Sequence, residues 1–168
     1  MKIKNTQEKL DTSFIGHHIS SGGFIFYKDI STGEISTLLI TNNKNILSIC
    51  KGHLEKNEDH ISAALREFEE EMGLKRIYLQ YIGLVKKVSY SYLENGGTNT
   101  KEVYINIFCT DEKVDVSKNI GVEDIIKIEW YSFDIALEKI SYDKDDLIKA
   151  KEMFLSYSND ELKKKRSF

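Results

Sequence analysis

Between Gly52 and Leu74 the chain reads GHLEKNEDHISAALREFEEEMGL, a spacing of G-x5-E-x7-R-E-U-x-E-E-x-G-U with U aliphatic or aromatic. Every fixed position is filled, by Gly52, Glu58, Arg66, Glu67, Phe68, Glu70, Glu71, Gly73 and Leu74. At residue frequencies of about 7%, the polar and glycine positions fall in register by chance with a probability on the order of one in a million. Glu58 to Met72 lacks Gly and Pro and is rich in Ala, Leu and Glu, which predicts a helix. Ile61, Ala64 or Leu65, Phe68 and Met72 recur at helical steps and give that helix one apolar stripe. Gly73 is its expected stop.

Glu67, Glu70 and Glu71 stand at i, i+3 and i+4, so their carboxylates gather on a second face. Taken alone, such a run is usually a solvated helix face, and Glu69, at the variable position, is read that way. With Gly52, Glu58, Arg66 and Gly73 in register, the other three need something to offset their repulsion. A hard divalent cation with oxygen ligands does so, and Mg²⁺ takes one or two carboxylates together with phosphate oxygens. Arg66 can pair with a neighbouring Glu and fix its rotamer. Gly52 lets the loop backbone approach a metal and offer its carbonyl oxygen.

The charge pattern points the same way. The whole chain carries −3, while residues 52–74 hold seven acidic and two basic side chains, so the remainder is about +2. A bare acidic cluster repels polyphosphate, so metal must come with or before such a substrate. No broad nucleic-acid surface is indicated, an RNA 5′ end excepted. The run Lys163-Lys164-Lys165-Arg166 is expected to be a solvated, frayed tail. No apolar stretch is long enough for a membrane span, and the first residues lack a secretory h-region. With two cysteines, Cys50 and Cys109, outside any metal-like pair, a reduced cytoplasmic protein is expected, with a disulfide between them left open.

At 168 residues the chain suits one domain, residues 1–168, with 1–20 as an N-terminal arm and 158–168 as a tail. GGFIFY (22–27) and STLLIT (36–41) read as strands joined by the Ser31-Thr32-Gly33 turn. Residues 77–92 hold one or two strands, Asn95-Gly96-Gly97 marks a hairpin, and VYINIFC (103–109) is a further strand. A strand over 125–133 contains Trp130, Asp134 is expected to cap a short helix, and 143–157 forms the last one. Strands around a central helix with another helix at the end imply a mixed sheet covered on both faces.

The Gly52–Leu74 stretch resembles the Nudix box, and the resemblance extends over roughly residues 20–157, including IKIEWYSFDIAL (126–137). It implies an α/β fold, an α/β/α sandwich about a mixed sheet. It further implies an enzyme that uses Mg²⁺ or Mn²⁺ to hydrolyse the pyrophosphate link of a nucleoside diphosphate joined to another group. Carried over by position, Glu67, Glu70 and Glu71 would be metal ligands, with the general base among them. Glu58 would be an accessory carboxylate, and Arg66 would orient the helix carboxylates. A further acid ahead of the Trp strand would be Glu123, with Asp124 or Glu102 as alternatives.

Cys50-Lys51-Gly52-His53-Leu54-Glu55 resembles the P-K-G-H-x-E entry of the dinucleoside polyphosphate hydrolase branch, with Cys50 at the Pro position. Lys101-Glu102-Val103-Tyr104 resembles that branch's K-T-V-x-Y segment. The resemblance implies phosphate contacts from Lys51, His53 and Lys101, and base stacking on Tyr90, Tyr92 or Tyr104. The expected substrate is a dinucleoside polyphosphate such as diadenosine tetraphosphate. Capped or triphosphate-ended RNA, a nucleoside triphosphate and a nucleotide sugar stand as alternatives within the family, and a non-catalytic nucleotide-binding module as one outside enzymology.

Overall fold

The computed structural model describes residues 17–94, 96–116 and 124–166. GGFIFY lies in the long strand β1 (His17–Lys28), and STLLIT in β2 (Ile35–Asn42). The turn between them is held by Asp29, whose Oδ1 accepts from the Ser31 amide at 2.8 Å and its hydroxyl at 2.6 Å. The two strands pair antiparallel only where they leave the turn, from Phe26↔Thr37 to Lys28↔Ile35. Beyond that point they part. Short β3 (Leu47–Ser48) pairs with β2, and β4 (Cys50–His53) pairs with β1 from Gly23↔Cys50 to Ser20↔His53. The other edge of β1 runs parallel to β6 (Gly97–Thr110), which forms a hairpin with the edge strand β5 (Gln80–Glu94). β7 (Ile125–Ser132) closes the opposite side against β2.

Helix α1 (His60–Met72) covers one face of this mixed sheet. Its stripe of Ala64, Phe68 and Met72 packs with Ile25, Leu38, Cys50 and Phe108. Phe68 is fully buried and meets the Phe108 ring edge-on at 5.2 Å, and burial of one such ring contributes about 2–3 kcal/mol. Helices α2 (Phe133–Lys139) and α3 (Lys144–Arg166) cover the other face, over Phe24, Phe26, Ile105 and Ile107. The α/β/α sandwich expected from the sequence is therefore the observed architecture. The sheet also separates the two thiols: Cys50 lies in one core layer and Cys109 in the other, and no disulfide joins them.

Three local expectations change. Residues 80–94 form one strand, preceded by a single 3-10 turn at Arg76–Tyr78. The cap of α2 is Ser132, whose hydroxyl accepts from the Ile135 amide, while Asp134 sits in the first turn. α3 does not stop near Tyr157 but continues to Arg166, because ELKKKR (161–166) contains only good helix formers and Glu161 pairs with Lys164 at 3.3 Å. No helix among the described residues is long and apolar enough to cross a membrane.

Candidate active site

The site is built where β1 and β2 part. Helix α1 starts there, with the Asp59 carboxylate accepting from the Ser62 amide at 2.7 Å as N-cap. Its first residue is tied across the sheet. Ser21 Oγ donates to the His60 carbonyl, and His60 Nδ1 lies 2.9 Å from Asn106 Oδ1. Asn106, wholly buried, donates through Nδ2 to Ser21 Oγ and to the Gly22 carbonyl, both at 3.0 Å. The far end of α1 is closed by Gly73 in the left-handed conformation, φ 64, whose amide donates to the Glu69 carbonyl.

Arg66 organises the acidic loop and helix. Its Nε and Nη2 donate to the two carboxylate oxygens of Glu58 at 2.8 and 2.9 Å, a bidentate pair. Nη1 donates to Glu67 at 2.9 Å and to Glu70 at 3.1 Å, and Nη2 also donates to the His53 carbonyl at 2.8 Å. Glu55 stands 3.2 Å away. The Glu58 hydrogen bonds, then the hydrogen bond to Glu67 and its charge, push the Arg66 pKa upward against the effect of burial. The same Arg66–Glu58 hydrogen bond holds the Glu58 carboxyl below its ordinary range.

A cavity of about 340 Å³ opens beside this cluster, lined by Ser20, Lys51, Gly52, His53, Glu67, Glu71 and Lys101. The carboxylates come from α1, the other residues from β4, β1 and β6. Glu67 and Glu71 are only 8% and 7% exposed. Lys51 has its ammonium pKa lowered, first by burial and then by Lys101, while Asp143 acts in the opposite sense. Two cations and two carboxylates thus line one cavity.

The sequence candidates separate accordingly. Lys51, Gly52, His53, Glu67, Glu71 and Lys101 are brought together in the cavity wall. Glu58 and Glu70 lie on the Arg66 side, and the Glu70 side chain is 58% exposed. Tyr90 is paired across the hairpin with Lys101, and so shares its face, next to Tyr92 at 6.2 Å. Tyr104, three residues on from Lys101, points to the opposite face and stacks on His60 at 4.5 Å. Glu102 is paired with Lys87 at 2.7 Å. Asp124 accepts from the Asn43 side chain at 3.2 Å and so ties the loop after β2 to β7. Glu123 lies outside the described residues. Ser20 and Asp143 were not anticipated, and no local pattern announces them; strand pairing alone brings Ser20 beside His53.

Among the described residues no three His, Cys, Asp or Glu side chains converge into a metal-binding group. Arg66 meanwhile engages Glu58, Glu67 and Glu70. The cavity still presents two carboxylates beside the Gly52 backbone. These hard oxygen donors fit Mg²⁺ or Mn²⁺, ions that complete their shells with water and phosphate oxygens.

Comparison with known proteins bears on the whole arrangement. A family profile described as a NUDIX domain matches residues 23–151. Among curated proteins, the mRNA-decapping protein g5R of African swine fever virus is similar. The Pig/Kenya/KEN-50/1950 isolate is 35% identical over 130 residues, covering 66% of this chain and 52% of that protein. The Warthog/Namibia/Wart80/1980 isolate is 26% identical over the same length and share. The chain therefore spans about half the length of the curated relatives it matches. Among solved structures, a C. elegans Ap4A hydrolase binary complex superposes with a TM-score of 0.62 at 21% identity, over 83% of this chain and 98% of that one. The NUDIX domain of Shewanella oneidensis NrtR with ADP ribose gives 0.59 at 12% identity, over 82% and 87%. At these identities the two structures share the fold.

Proposed function

The chain belongs to the NUDIX family, and on that premise we propose that it is a divalent-metal-dependent pyrophosphohydrolase. Its substrate is a polyphosphate bridge joining two nucleosides through their 5′ oxygens, with diadenosine tetraphosphate as the representative. The observation that supports this reading is the single cavity lined by Lys51 and Lys101 together with Glu67 and Glu71. The carboxylates suit a metal ion, and the ammonium groups suit the phosphate chain.

Glu67 and Glu71, beside the Gly52 backbone, would hold Mg²⁺ or Mn²⁺, which would supply charge neutralisation at phosphoryl oxygens and activation of water. The chain's own residues do the rest. Lys51 and Lys101 donate to phosphate oxygens, and His53 adds a donor at the cavity mouth. Arg66 holds Glu58, Glu67 and Glu70 in fixed rotamers, so the carboxylates need not reorganise during reaction. Glu67 or Glu71 takes the proton of the attacking water. Tyr90, 47% exposed and beside Lys101, offers a ring face for a base.

A second reading is favoured by the viral relatives named as mRNA-decapping proteins. An mRNA cap is itself a polyphosphate bridge between two 5′ oxygens, so the same cavity suits it, with RNA leaving on one side.

Turnover of diadenosine tetraphosphate, capped RNA, 5′-triphosphate RNA, a nucleoside triphosphate and ADP-ribose, each with and without Mg²⁺, tests these readings. The highest kcat/KM on the tetraphosphate supports the first, and the highest on capped RNA selects the second. Preference for ADP-ribose overturns both. Binding with no turnover of any compound makes the protein a non-catalytic module.

A further inference from the structure

We propose that Cys50 is a positioning residue that holds the Glu71 carboxylate in the orientation used for metal binding; this rests on the metal-dependent reading above. Cys50 begins β4 and is 2% exposed. Its pairing with Gly23 turns the side chain toward α1, into the layer formed by Ala64, Phe68 and Met72. There Sγ lies 3.2 Å from Glu71 Oε2 and 3.7 Å from the Glu67 carbonyl oxygen. The carboxylate is the nearer acceptor, so the thiol proton goes to Glu71.

Glu71 has one side against apolar core and the other in the cavity wall, with 7% exposure. A carboxylate so little hydrated needs donors, and Cys50 supplies one from the core side. Fixing Oε2 there directs the remaining oxygen to the cavity. The position is suited to this because Cys50 sits on the sheet and not on α1, so the bond locks the helix carboxylate against the strand that carries Lys51 and Gly52. Partners of metal ligands act in this way, by removing rotamers that the ligand would otherwise lose on binding.

The test is Mn²⁺ affinity measured by calorimetry on the full chain, with no substrate present, for wild type and Cys50→Ser, Cys50→Ala and Cys50→Val. Thermal melting of each variant confirms that it is folded before titration. Cys50→Ser keeps a donor and is expected to stay within about twofold of wild type. Cys50→Ala and Cys50→Val lose the donor, Val while filling the volume, and each should weaken Mn²⁺ binding by roughly threefold to tenfold. Their kcat should fall while KM at saturating metal stays put. Wild-type affinity in Ala and Val overturns the proposal. So does a Ser variant as weak as Ala, since volume rather than donation would then be at work. Wild type that binds no Mn²⁺ removes the metal-dependent reading itself, and the proposal with it.

Discussion

Gly52 lies so close under Glu67 that a β-carbon on it would overlap the carboxyl carbon and both of its oxygens. The obstruction is the far end of a flexible side chain, so the helix and strand need not move to relieve it. Gly52→Ala is therefore expected to fold with a melting temperature near that of wild type, while swinging Glu67 out of the cavity. Displacing one reacting or ligating group by an ångström costs on the order of a hundredfold in rate. A variant that melts normally and turns over normally would show that Glu67 is not needed where it now stands.

Glu71→Gln removes a charge from the cavity wall without removing a core contact, so it should lower turnover by about a hundredfold or more and leave the far-UV spectrum unchanged. Activity within a few-fold of wild type would remove Glu71 from the ligand set.

Arg66→Ala leaves Glu58, Glu67 and Glu70 without their shared donor. Truncating a largely buried charged partner costs about 2–3 kcal/mol, which urea denaturation measures directly. Arg66→Lys restores charge but not the fork that grips Glu58, and should recover only part of the loss. Full recovery with Lys would mean that charge alone, and not the bidentate geometry, matters.

The lowered pKa of Glu58 has a consequence for acid stability. Its folded-state value lies below the ordinary 4.5, so the ionised form binds Arg66 and folding is favoured while the group stays ionised. That contribution is complete above pH 4.5 and is lost as pH falls through the folded-state value. The stability gap between wild type and Glu58→Gln should be constant near neutrality and shrink below about pH 4.5. A gap unchanged down to pH 3 would contradict the assignment.

Lys101→Ala tests the substrate. Loss of a charged donor is worth about 1.5–3 kcal/mol, or roughly tenfold or more in kcat/KM. The loss should be greater on a dinucleoside tetraphosphate than on a nucleotide sugar, whose shorter bridge ends nearer Glu67 and Glu71. Equal losses on both would reject the long-chain reading.

How much of this was readable beforehand depends on how far apart in sequence the partners lie. The end of α1, its buried Phe68 and its Gly73 stop follow from helical periodicity and capping, which act within a turn or two; its start falls at His60, two residues after the expected Glu58, because Asp59 is the cap. So does the grouping of Glu67 with Glu71, four residues apart. Cap choice was less secure: Ser132 and Asp134 are both competent, and the end of β7 decided for Ser132.

The sequence by itself determined that this chain carries an acidic helix stopped by a glycine, because those contacts are made by neighbours along the chain. Only the tertiary structure decided what faces that helix. The parallel register of β1 with β6 sets Lys101 beside His18, and the antiparallel register of β1 with β4 sets His53 beside Ser20. Those two registers bring Lys51 and Lys101 to one cavity and send Tyr104 to the other face of the sheet. A shift of one residue in either would reverse every side chain on the strand. That choice is made by burial of the whole core, and no stretch of local sequence contains it.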